Sequence, residues 1–106
     1  LIEVKSRKPG KHIQTVVADQ VPAEYMAQIQ AGLLVSGRAW CDYISYSGGL
    51  PLWIIRVYPD EQWRSAIVAA VGAAEQTIAD TAACFAALPA GLPMTERTLY
   101  ALDMEV

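Results

Sequence analysis

With 106 residues, 54% of them hydrophobic and 18% charged, and a mean hydropathy of +0.25, the chain has room for one small domain and is apolar for a soluble one, so part of its surface is expected to be covered. No apolar run reaches the roughly 18 to 20 residues of a membrane span, the opening residues are no secretion signal, and Cys41, Cys84 and the single His12 support neither a disulfide framework nor a structural zinc site. The expected setting is reducing and cytoplasmic. The net charge of −3 is unevenly spread: residues 1–64 carry seven basic groups to six acids, residues 65–106 one to five, and residues 1–12 four to one. That last density suits either phosphate contacts or an ordinary solvated loop.

Leu1, Ile2 and Val4 around Glu3 and Lys5 read as a strand over residues 1–6, and Pro9-Gly10 reads as a turn. Leu-Ile-Glu-Val-Lys without a preceding Met reads as the middle of a strand, so the chain is expected to be a piece of a longer protein. His12 to Asp19 reads as a short helix or a loop. Pro22 suits a first helical turn and Gly37 the position past a last one, which predicts a helix over 22–36. On it Met26, Ile29 and Leu33 form one stripe with Tyr25 at its edge, and Gln28 shares the Tyr25 face.

Residues 39–46 and 51–58 are aromatic and β-branched, and Ser47-Gly48-Gly49-Leu50 between them is a turn signal, so they form a β-hairpin. Pro51 belongs at a strand's start or on an edge. Asp60 can cap a long helix whose apolar positions Trp63, Ile67, Val71, Ala74, Ile78, Ala82 and Phe85 recur at helical spacing until Pro89 and Gly91 end it. That helix is expected to cover the core, packed on the sheet. The domain is placed at 1–88, and residues 89–106 read as a tail with at most a helical turn near Thr95 to Leu102.

Side chains alternate along a strand, so Glu3 and Lys5 face one site. The pair suits metal-assisted phosphodiester hydrolysis: the carboxylate ligates Mg²⁺, the Val4 carbonyl adds a ligand, and the ammonium orients or deprotonates water and stabilises charge on the phosphate. Taken alone, Glu-x-Lys is a weak signal, and an exposed ion pair is the simpler account.

Three successive segments narrow the choice. Glu3-Val4-Lys5-Ser6, Val21-Pro22-Ala23-Glu24-Tyr25-Met26-Ala27-Gln28-Ile29-Gln30 and Leu34-Val35-Ser36-Gly37-Arg38-Ala39-Trp40-Cys41-Asp42-Tyr43 resemble, in order and spacing, the phage lambda-exonuclease or YqaJ-like viral recombinase family. The resemblance runs from residue 2 to about residue 80. It implies an α/β, PD-(D/E)xK (restriction-endonuclease-like) nuclease core, of which this chain would be the C-terminal half. It further implies Mg²⁺ (or Mn²⁺)-dependent, 5′-to-3′ degradation of one strand of duplex DNA from its ends, by a homo-oligomer in the bacterial host cytoplasm, with a phage single-strand annealing protein as partner.

Carried over by position, the resemblance makes Glu3 and the Val4 carbonyl metal ligands, Lys5 the catalytic lysine, and Gln28 with Tyr25 the helix residues beside the site. Gln30 points about 160° away from Gln28 and is left structural. Asp42 has no counterpart in the family pattern, and Trp40, Trp53 and Trp63 read as core. The family's site also needs an Asp on the strand before Glu-x-Lys, which this chain does not contain, so the chain alone is expected to be inactive. Two alternatives stay open: another PD-(D/E)xK enzyme such as a structure-specific endonuclease, and a non-catalytic DNA-binding or assembly module of the same fold.

Overall fold

The structure, a computed structural model, describes residues 1–97. Strand β1 (Ile2–Ser6) leads into helices α1 (Pro9–Ala18) and α2 (Ala23–Ser36), then strands β2 (Cys41–Tyr46) and β3 (Trp53–Val57), and finally helix α3 (Glu61–Ala86). The sheet order is β1-β2-β3. β1 runs parallel to β2, with Glu3 opposite Tyr43 and Lys5 opposite Ser45. β3 runs antiparallel to β2 as the hairpin partner, with Asp42 opposite Arg56. The chain is therefore α/β with a mixed sheet, as its sequence indicates.

Local chemistry explains most boundaries. Pro9 and Gly10 do not make a turn but open α1, because proline's fixed φ and missing N–H suit a first helical turn. Pro22 sits one residue outside α2, and Gly37 closes that helix at φ 67°, a left-handed conformation that only a residue without Cβ adopts at no cost. Gly49 turns the hairpin at φ 81°, where Leu50 N donates to Ser47 O at 3.1 Å. β3 starts at Trp53 rather than residue 51, since Pro51 has no N–H for the ladder. The Asp60 carboxylate accepts from Gln62 N (2.8 Å) and Trp63 N (3.2 Å), capping α3.

The odd-numbered face of the sheet carries the core. Cys41, Tyr43 and Val57 pack with Ile29 and Leu33 of α2, and Val21, Tyr25, Met26, Trp53 and Ile55 border them. Buried His12 ties α1 underneath: its Nδ1 lies 2.7 Å from Ser45 Oγ and its Nε2 2.8 Å from Pro51 O. A proton on Nε2 satisfies both bonds, with Ser45 donating to Nδ1. Gln30 is structural, as expected: its amide donates to Tyr58 O at 3.0 Å and accepts from Asp60 N at 3.0 Å, fixing the β3–α3 connection.

Two further expectations fail. α3 does not cover the core; it leans on α2 rather than on the sheet, no residue in it is buried, and Ile78 and Phe85 are 68% and 75% exposed. Its 26 residues span about 39 Å, which raises the radius of gyration to 21.4 Å against about 13 Å for a compact domain of this size. Trp40 is not core either. It lies exposed beneath the Arg56 guanidinium at 4.3 Å, whereas Trp53 and Trp63 are half-buried. Residues 92–97 form no helix, and the rest of the expected turn near Thr95 to Leu102 lies outside the described residues.

Candidate active site

β1 shows its alternation in burial. Glu3, Lys5 and Arg7 are half-buried toward the helices, while Ile2, Val4 and Ser6 are exposed on the opposite face. Leu1 O accepts from Asp42 N and Arg7 N donates to Tyr46 O, each at 2.8 Å. Odd-numbered residues therefore turn their backbone groups toward β2, and the Val4 carbonyl points to the outer edge. Among the described residues no strand pairs with that edge.

Glu3, Lys5 and Gln28 close a triangle. Lys5 Nζ donates to Gln28 Oε1 at 2.9 Å, Gln28 Nε2 donates to Glu3 Oε1 at 3.3 Å, and Lys5 Nζ lies 3.2 Å from the same carboxylate oxygen, the two charged side chains being about a quarter exposed. The contacts engage only Glu3 Oε1, leaving Oε2 to a further partner. Tyr25 forms the floor: its ring lies 4.8 Å from Lys5 Nζ and 5.5 Å from the Arg7 guanidinium carbon, close enough for both cations to be held over the ring. The four sequence-selected side chains thus converge, although Gln28 and Lys5 are 23 residues apart.

An aromatic stack supports this floor. Tyr25 stacks on Tyr43 at 5.9 Å, and Tyr43 meets Trp53 edge-on at 6.1 Å. Tyr43 is fully buried, and among the described residues its hydroxyl has no hydrogen-bond partner. Burial pushes the Tyr43 phenol up, and the nearby Arg7 guanidinium opposes that rise.

Arg7 was not singled out from the sequence. Its side chain is only 8% exposed, and it bonds to Thr15 Oγ1, to Lys11 O at 3.4 Å and to Glu24 at 3.4 Å. The signal was present, since Arg7 continues the period-two series Glu3, Lys5 onto the same face. Asp42 stands apart from this site, on the opposite face. It pairs bidentately with Arg56 at 2.9 and 3.1 Å, and that bond holds its carboxyl below the usual aspartate range.

The mixed α/β fold is of the PD-(D/E)xK nuclease class, and it is the likeness to solved structures that shows this. The chain is similar to the crystal structure of an alkaline exonuclease, LHK-Exo, from Laribacter hongkongensis: 30% identity and a TM-score of 0.56, covering 80% of this chain and 50% of that one. LHK-Exo in complex with dAMP is similar at 28% identity and a TM-score of 0.58, over 80% and 49% of the respective chains. This chain spans about half the length of the structures it matches. No protein-family model matches it, and no curated protein does. The likeness supports the exonuclease resemblance at that coarse level.

Proposed function

We propose that the protein is a phage-type recombination exonuclease that hydrolyses one strand of duplex DNA from its ends, 5′ to 3′, with Mg²⁺ or Mn²⁺. The observation that supports it best is the Glu3–Lys5–Gln28 triangle on the helix-covered face of β1, in a fold shared with an alkaline exonuclease. Homo-oligomeric assembly, action in the bacterial cytoplasm and cooperation with a single-strand annealing protein belong to the same proposal.

Glu3 Oε2 and the Val4 carbonyl are hard oxygen donors of the kind Mg²⁺ takes, and they would supply part of its shell, with phosphate oxygens and water as further donors. Among the described residues no three His, Cys, Asp or Glu side chains gather into a metal cluster. When bound, the ion would supply positive charge to the phosphate and make water there more acidic. The chain's own residues supply orientation. Gln28 fixes the Glu3 carboxylate and the Lys5 ammonium relative to each other, and the Tyr25 ring holds that ammonium where a third N–H can reach a phosphate oxygen or the attacking water.

The test is hydrolysis by the full-length protein of linear duplex labelled at its 5′ end. Glu3→Ala and Lys5→Ala should each abolish it with the fold intact, and activity retained in either sinks the assignment. Cleavage of closed circular duplex as fast as linear would point to an endonuclease. That Glu3 supplies the single carboxylate at the site among the described residues favours one further reading, a non-catalytic DNA-binding or assembly module; metal-dependent hydrolysis by the full-length protein excludes it.

A further inference from the structure

Beyond the triangle, the same face of the sheet continues into a basic cleft that the chemistry above does not use. Arg7, Lys8 and Lys11 surround the start of α1; of two adjoining openings that share Arg7, Lys11 and Glu24, one of about 310 Å³ runs along α1 to the start of α2 and one of about 280 Å³ lies beside Lys8. Thr15, Gln20 and Glu24 line the first, and Ser6, Glu24 and Tyr25 line the second. Tyr25 lines the second opening and its ring also lies 4.8 Å from Lys5 Nζ, so that opening borders the candidate active site.

Three features suit this cleft to an anion. α1 has no acidic residue in its first turn and no side-chain cap, so its unpaired N–H groups, the positive end of the helix dipole, stand beside two exposed lysines. Cations there oppose helix stability, and an anion would reverse the sign of that interaction. Second, Arg7 is held at the cleft floor by Thr15 and by Lys11 O, so it can meet a ligand without losing side-chain freedom at that moment. Third, Lys5 and Arg7 are two residues apart on a strand, about 6.6 Å along its direction. They form a short line of positive charge running from the triangle to the cleft, the pattern that a chain of phosphates requires. Glu24 is the one acid on the lining. Its side chain is 60% exposed and its contact with Arg7 is long, at 3.4 Å, so it yields to a stronger anion.

We infer that Arg7, Lys8 and Lys11 form a subsite for backbone phosphates of the DNA strand, next to the phosphate addressed by Lys5. This inference rests on the nuclease reading and names where the substrate lies. It is tested by binding without catalysis: fluorescence anisotropy of a short 5′-phosphorylated duplex, labelled at its 3′ end, in EDTA across a salt series. Lys8 and Lys11 are exposed, so the double variant Lys8→Ala/Lys11→Ala should fold. It should bind roughly tenfold to hundredfold more weakly at low salt, and flatten the slope of log K against log salt by about 1.8, or 0.9 per lost phosphate contact. Glu24→Gln should tighten binding. Equal affinity and slope in wild type and double variant overturn the subsite and leave the nuclease reading to its own hydrolysis test. A wild-type chain without salt-dependent binding overturns the subsite whatever that assay shows.

Discussion

Replacing Gln28 by Leu removes the one neutral group of the triangle while keeping its bulk. The amide makes two hydrogen bonds to charged partners, at 2.9 Å from Lys5 and 3.3 Å to Glu3. Such bonds contribute about 1.5 to 3 kcal/mol when shielded. Here the partners are 25% and 27% exposed, which brings each bond toward the surface ion-pair range, about 1 kcal/mol. If both are fully used in the transition state, the loss is about 2 kcal/mol, or about 30-fold in kcat/KM. The assay is kcat/KM of the full-length protein on linear duplex with Mg²⁺, beside urea unfolding. Gln28→Leu and Gln28→Ala should lose activity equally and less than Lys5→Ala, with stability changed by no more than about 1 kcal/mol. Rescue by Leu relative to Ala would show that Gln28 merely packs, and a loss as deep as that of Lys5→Ala would refute its role as a neutral orienting group.

Other consequences can be read on the 106-residue chain itself. His12→Phe leaves the Ser45 hydroxyl and the Pro51 carbonyl without partners, and should cost about 2 to 4 kcal/mol in urea unfolding; a neutral result would show that water replaces both bonds. Because Arg56 depresses the Asp42 pKa, the stability it contributes is present above the unfolded value, about 3.9, and is lost as pH falls through the folded one. The stability gap between wild type and Asp42→Asn should therefore be constant near neutrality and shrink in acid, and a gap that widens on acidification contradicts the pairing. Phe85→Lys, at a position 75% exposed on α3, should change stability by about 0.5 kcal/mol or less; a large loss would mean that α3 is covered in solution.

What the amino-acid order determined by itself is local. Alternation put Glu3 and Lys5 on one side of β1, helical spacing put Met26, Ile29 and Leu33 on one stripe with Tyr25 at its edge, Gly37 and Asp60 marked helix ends, and Gly48-Gly49 marked the hairpin, because each depends on backbone geometry within a few residues. Through resemblance it also placed Gln28 and Tyr25 beside the pair. Only the tertiary structure decided that Lys5 Nζ and Gln28 Oε1 lie 2.9 Å apart, that β1 runs parallel to β2, that Arg7 is sunk between Tyr25 and Thr15, and that His12 bonds Ser45 across 33 residues. It also decided against the sheet as partner for α3. Periodicity records that a helix has an apolar stripe but not which surface meets it, since hydrophobic attraction has no direction and the choice depends on how α2 fills the sheet face first.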